Sequence, residues 1–87
     1  MEFFHSPIYK RQFRKLPGDV QKKVMERLAL FMQYEMHPLL NNHPLRFEWT
    51  GYRSVNITVD YRMIFRKISI TFVRLEQVGT HSELYGL

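Results

Sequence analysis

Gly51-Tyr52-Arg53-Ser54-Val55-Asn56-Ile57-Thr58-Val59-Asp60-Tyr61-Arg62-Met63-Ile64-Phe65-Arg66 is the stretch that decides the fold. Val55, Ile57 and Val59 alternate with Ser54, Asn56 and Thr58, the two-residue period of a strand with one buried face. Tyr61, Met63 and Phe65 then alternate with Arg62, Ile64 and Arg66 in a second strand, with a turn near Asp60. A third strand is expected from about Ile68 to Glu76. Consecutive hairpins make this part of the sheet antiparallel.

Upstream, the period changes to that of helices. Ser6-Pro7 reads as an N-cap followed by a proline at a position where its missing N–H costs nothing. Tyr9, Phe13 and Leu16 then form one apolar stripe, with Lys10, Arg11, Arg14 and Lys15 on the other positions. Pro17-Gly18 breaks that helix, and a second starts near Asp19 and buries Val20, Val24, Leu28, Phe31 and Met32. Pro38 ends it, because the residue before a proline avoids the α region. Glu2 to His5 reads as a short edge strand. At the other end, Thr80 and Glu83 have the spacing of a capping box, which puts His81 in the first position of a short C-terminal helical turn. Helices followed by hairpins, with no Gly/Ser linker between, make a single α+β domain over residues 1–87.

Composition narrows the function. The 87 residues hold 13 Lys and Arg against 8 Asp and Glu, a net charge of +5 that favours an anionic partner such as nucleic acid. With 45% hydrophobic and 15% aromatic residues, the chain has ample material for one core and is not intrinsically disordered. Zero Cys excludes a disulfide framework and thiolate chemistry, and fits a reducing compartment. The longest uncharged apolar run, Leu28 to Tyr34, is far below the ~20 residues that span a bilayer. No basic stretch followed by an apolar region marks a secretory signal, so a cytoplasmic protein without a membrane partner is expected.

Four histidines without helical metal spacing, without thiolates and without neighbouring carboxylates argue against a metal site. Gly-rich phosphate loops and a nucleophilic serine turn are missing too, and no cofactor is expected. RNA cleavage needs neither, since the 2′-hydroxyl supplies the nucleophile. His81 is the first candidate for proton transfer at neutral pH, with Tyr85 four residues on along the same helical face. His43 lies in the proline-bounded loop His37-Pro38-Leu39-Leu40-Asn41-Asn42-His43-Pro44, where side chains are readily exposed. Asp60 is a turn residue by type and a proton acceptor by chemistry. Trp49 and the strand arginines Arg53, Arg62 and Arg74 are candidates for substrate binding.

The blocks His43-Pro44-Leu45, Trp49-Thr50-Gly51-Tyr52-Arg53, Asp60 and Gly79-Thr80-His81-Ser82-Glu83-Leu84-Tyr85-Gly86 resemble, in order and spacing, the YafQ branch of the RelE/ParE toxin superfamily. The match runs in register from about Asn42 to Gly86, while the helical half agrees in layout. The resemblance implies two N-terminal helices packed on a twisted antiparallel sheet of about four strands. It implies the toxin of a type II toxin–antitoxin pair, a ribosome-dependent endoribonuclease that cuts mRNA in the ribosomal A site, touches ribosomal RNA and is neutralised by a cognate antitoxin. It assigns catalysis to His43, Asp60, His81 and Tyr85. The chemistry of 2′-hydroxyl attack favours His81 as acid, Asp60 as base or as the group orienting His43, and Tyr85 as a substrate-positioning partner, whereas a place for His81 in the first turn of a helix argues for the opposite assignment of acid and base. Two positions depart from the pattern: Asn56 stands where the branch has a histidine, and Gln77 where it has an arginine. Arg62 and Arg74 are nearby substitutes for the missing charge. The alternatives are a non-enzymatic inhibitor of DNA gyrase, as in the ParE branch, or a catalytically weakened binding module on the same fold.

Overall fold

The computed structural model describes residues 1–86. Strand β1 (Glu2–His5) leads into helices α1 (Pro7–Lys15) and α2 (Gly18–Gln33). Past a 3₁₀ turn at Pro38–Leu40 come β2 (His43–Pro44), a second 3₁₀ turn at Phe47–Trp49, β3 (Arg53–Asn56), β4 (Tyr61–Ser69), β5 (Phe72–Thr80) and α3 (His81–Tyr85). The five strands form one sheet in the order β1-β5-β4-β3-β2. β2, β3, β4 and β5 are antiparallel neighbours, whereas β1 runs parallel to β5, so the sheet is mixed.

Local chemistry sets the helix ends. Ser6 Oγ accepts the Tyr9 N–H at 3.0 Å, and Asp19 Oδ1 accepts the Val20 N–H at 3.0 Å. Val20, Val24, Leu28 and Phe31 are buried against Val55, Met63, Phe65, Leu75 and Val78 of the sheet. Met32, expected in the same stripe, is 53% exposed. From Val20 to Phe31 is eleven residues, close to three whole turns, and the next residue is rotated about 100° off the core face. Among the described residues no helix is long and apolar enough to cross a membrane.

Two strand boundaries differ from the alternation. β3 stops at Asn56, because Thr58 Oγ1 accepts the Asp60 and Tyr61 N–H groups at 3.3 and 3.2 Å and turns the chain early. Val59 is left 87% exposed. The last hairpin turns at Ile70-Thr71, later than expected, so Ile68 belongs to β4 and β5 extends to Thr80.

Beyond His5, α1 takes over the edge of β5. Ser6 N–H donates to Leu75 O at 3.0 Å, Ser6 Oγ donates to Glu76 O at 2.7 Å, and Gln12 Oε1 accepts the Val78 N–H at 2.8 Å. Side chains thus satisfy strand groups that would otherwise be a template for a foreign strand.

Candidate functional site

The end of β5 and the start of α3 are built as one unit. Thr80 Oγ1 accepts the Glu83 N–H at 3.1 Å while Glu83 Oε1 accepts the Thr80 N–H at 2.8 Å, the capping box expected from the sequence. A Cβ on Gly79 would meet Glu83 Oε1 at 3.1 Å and Leu84 Cδ2 at 3.6 Å, so glycine lets α3 fold back on the strand. His81 therefore stands at the first helical position, its N–H donating to Asp60 O at 3.0 Å. Tyr85 lies one turn on, and its ring centroid is 4.7 Å from that of His81.

His43 arrives from the far side of the sheet. Arg53 Nε donates to Asn42 Oδ1 at 2.8 Å, and Asn42 Nδ2 donates to Glu35 O at 3.0 Å, so the loop is pinned both to β3 and to the segment after α2. His43 then pairs with Ser54 across β2 and β3. Its Nδ1 lies 2.7 Å from Asn41 O. A carbonyl only accepts, so Nδ1 carries the hydrogen, and in the neutral ring Nε2 keeps its lone pair free.

These elements line an open cavity of about 600 Å³ with His43, Trp49, Ser54, Arg62, His81 and Tyr85, and with Arg46, Phe47 and Glu48 from the loop before β3. Trp49 makes an edge-to-face contact with Tyr52 at 5.3 Å. Arg62 directs Nη1 at the carbonyls of Thr58 and Val59, 2.8 and 2.7 Å away, bracing the β3–β4 turn and keeping its cation at the cavity wall. Ser54 Oγ and Asn56 Oδ1 are buried and have no hydrogen-bond partner among the described residues.

Five of the sequence candidates thus meet in one place: His43, Trp49, Arg62, His81 and Tyr85. Asp60 is adjacent but has an exposed side chain, and its tie to the site is the backbone carbonyl that holds His81. Asn56 sits opposite Arg62 on β3, and Arg53 acts on the loop that carries His43. Arg74 lies elsewhere, paired with Glu76 at 2.8 Å and over the Phe4 ring at 5.0 Å. Gln77 is also elsewhere, its Oε1 accepting from Gln12 Nε2 at 3.1 Å. Sequence reasoning missed Ser54, Arg46 and Phe47. Period two does place Ser54 on the face of Asn56 and Arg62, whereas the two loop residues carry no periodic signal.

Two helices over a mixed sheet, ending in a capped C-terminal turn that presents a histidine, are an arrangement that solved toxin structures share. The crystal structure of YafQ from Escherichia coli strain BL21(DE3) has the same fold, with a TM-score of 0.77 at 22% identity over 98% of both chains. The YafQ chain in a crystal structure of the E. coli DinJ–YafQ toxin–antitoxin complex gives 0.68 at 25% identity, covering 98% of this chain and 97% of that one. In sequence, the chain is 33% identical over 88 residues to the mRNA interferase toxin YafQ of E. coli strain B / BL21-DE3, covering 90% of this chain and 92% of the relative. Residues 2–86 match the family described as bacterial toxin of type II toxin-antitoxin system, YafQ, and the chain belongs to that family.

Proposed function

We propose that this toxin is an mRNA interferase, an endoribonuclease that cuts messenger RNA at the ribosomal A site by metal-independent acid–base catalysis. The observation that carries the reading is the pair of histidines on one cavity, with His43 held by Asn41 O in the tautomer that leaves Nε2 free. His43 Nε2 takes the proton of the 2′-hydroxyl, and the 2′-oxygen forms a bond to the neighbouring phosphorus. The bond from phosphorus to the 5′-oxygen breaks, and the His81 imidazolium gives its proton to that departing oxygen. The products are a 2′,3′-cyclic phosphate and a 5′-hydroxyl.

Arg62 stabilises the charge of the crowded phosphorane, and Tyr85, whose ring lies tilted against that of His81, holds the imidazole in place and packs against substrate. Asp60 and Arg53 are positioning residues, one for His81 and the other for the loop of His43. Ser54, at the cavity wall, holds a buried hydroxyl beside the place of the sugar–phosphate. Each well-placed proton-transfer group is typically worth 10²- to 10⁴-fold in rate. In the resting state a cognate antitoxin covers the basic surface; YafQ itself has been crystallised in a toxin–antitoxin complex with DinJ.

The test is induced expression without antitoxin. Growth should arrest, and His81→Ala should relieve the arrest while the protein stays folded. With isolated components, a 2′-deoxy nucleotide at the cut site should abolish cleavage and EDTA should leave it intact. Arrest that is unchanged in His81→Ala would overturn the enzymatic reading and point to inhibition by binding alone.

A further inference from the structure

Phe47 is out of place by every local rule. Its φ is +58°, in the left-handed region where a bulky side chain is a genuine outlier, because Cβ crowds the following carbonyl. The ring is not compensated by burial, since Phe47 is 85% exposed. The conformation is held from outside: Phe47 O accepts both the Thr50 N–H at 3.0 Å and Thr50 Oγ1 at 2.7 Å, closing the 3₁₀ turn. Gly51 follows at φ +94°, returning the chain to β3. Strain of this kind persists where the surroundings overdetermine it, and it clusters at functional sites. The ring lines the same cavity as His43, Arg62 and His81.

We propose that Phe47 is the platform on which an unpaired nucleobase next to the scissile phosphate stacks. The proposal rests on the endoribonuclease reading and adds to it the residue that holds the base. Every nucleobase has a π face, so an exposed ring at the mouth of a cationic cavity suits a single strand of any sequence. Arg46 precedes Phe47 in the chain and Arg62 lines the same cavity, so the cavity carries cations for the backbone phosphates. Glu48 shares the rim, which leaves the attraction for phosphate to these two arginines. A base stacked there fixes the sugar carrying the 2′-hydroxyl relative to His43, so the ring contributes to positioning as well as to affinity.

The test uses the fact that glycine adopts φ +58° without strain. Phe47→Gly removes the ring and relaxes the backbone together. It should unfold at the same temperature as the parent or higher, yet cleave messenger RNA on programmed ribosomes about 5- to 150-fold more slowly in kcat/KM, the range found for loss of one stacked base. Phe47→Trp should retain the parent rate. When each base around the cut is replaced in turn by an abasic nucleotide, one position should slow the parent by that factor and leave Phe47→Gly unaffected. An active parent with a Phe47→Gly variant that matches it in rate and in abasic response would overturn the stacking role alone. Unchanged cleavage with weakened antitoxin neutralisation would assign the ring to the antitoxin and likewise overturn it. A parent that cuts no RNA would overturn the endoribonuclease reading first, and this proposal with it.

Discussion

Alkaline pH should destabilise the protein through Tyr9 in a separable and calculable way. Tyr9 is 2% exposed in the core between α1 and the sheet, and burial pushes its phenol from 10.0 up to about 12. In the unfolded chain the phenol ionises near its ordinary value, so between these two values the unfolded state has lost a proton that the folded state retains. Stability is complete below pH ~10 and falls as pH rises towards ~12, the sign expected for a raised value. At pH ~11 the ratio of the ionisation factors of the two states is about tenfold, or about 1.4 kcal/mol, and above both values the loss approaches roughly 2.7 kcal/mol. For a domain of this size the pH ~11 loss corresponds to a fall in Tm of about 5–11 °C. The assay compares the parent with Tyr9→Phe in urea unfolding at several pH values between ~8 and ~11, so that every pH effect common to both proteins cancels. The gap in unfolding free energy should shift by about 1.4 kcal/mol in favour of Tyr9→Phe at the upper end. A gap that stays constant across the range would refute the claim that the phenol is held neutral by the fold.

Phe31→Ala should cost about 3–5 kcal/mol in chemical denaturation, because the ring is 2% exposed and contacts Phe65 edge-on at 5.1 Å and Phe3 at 6.0 Å. Gln12→Ala should cost about 1–3 kcal/mol, since it leaves the buried Val78 N–H without its acceptor, and hydrogen exchange at that amide should speed up. Association with an acidic antitoxin segment should slow steeply as salt rises, because steering is screened over about 8–10 Å at physiological ionic strength. Stopped-flow rates at low and high salt check this, and a flat dependence would mean that the partner binds an apolar surface.

What could be read from the sequence was local chemistry. Ser6-Pro7 before a helix and Thr80 with Glu83 are short-range hydrogen-bond devices, and both are found where the residue types place them. The parallel pairing of β1 with β5 was not legible, because Phe3 meets Val73 across most of the chain and four residues cannot encode so distant a partner. The early stop of β3 was hidden by Ile57, which is buried like a strand residue although its neighbours bend away. At the site, residue identity pointed to His43, Arg62, His81 and Tyr85 because proton transfer and phosphate charge demand those types. The feature that selects a role for His43 is a backbone carbonyl, that of Asn41, and no side-chain pattern announces it. Gln77, conversely, looked like a site residue by position, and the structure engages it with Gln12 because α1 must seal the strand edge there.

Ser54 brings stability and function into opposition. It is fully buried at the cavity wall, and among the described residues its hydroxyl has no hydrogen-bond partner. A buried hydroxyl without a hydrogen bond costs about 1–3 kcal/mol relative to one that is paired, whereas alanine leaves only a void of one oxygen atom. Ser54→Ala should therefore be neutral or stabilising by up to about 1 kcal/mol, which is the reverse of most buried substitutions. If the hydroxyl meets the sugar–phosphate when RNA enters, the same change should slow cleavage by roughly 2- to 12-fold, the worth of one net hydrogen bond of about 0.5–1.5 kcal/mol. Urea midpoints and single-turnover cleavage, measured on the same preparations, separate the two effects. A destabilisation above about 1 kcal/mol would show that the hydroxyl already has a partner in the folded protein, and the cavity floor would then be a structural hydrogen-bond network and not a surface reserved for substrate.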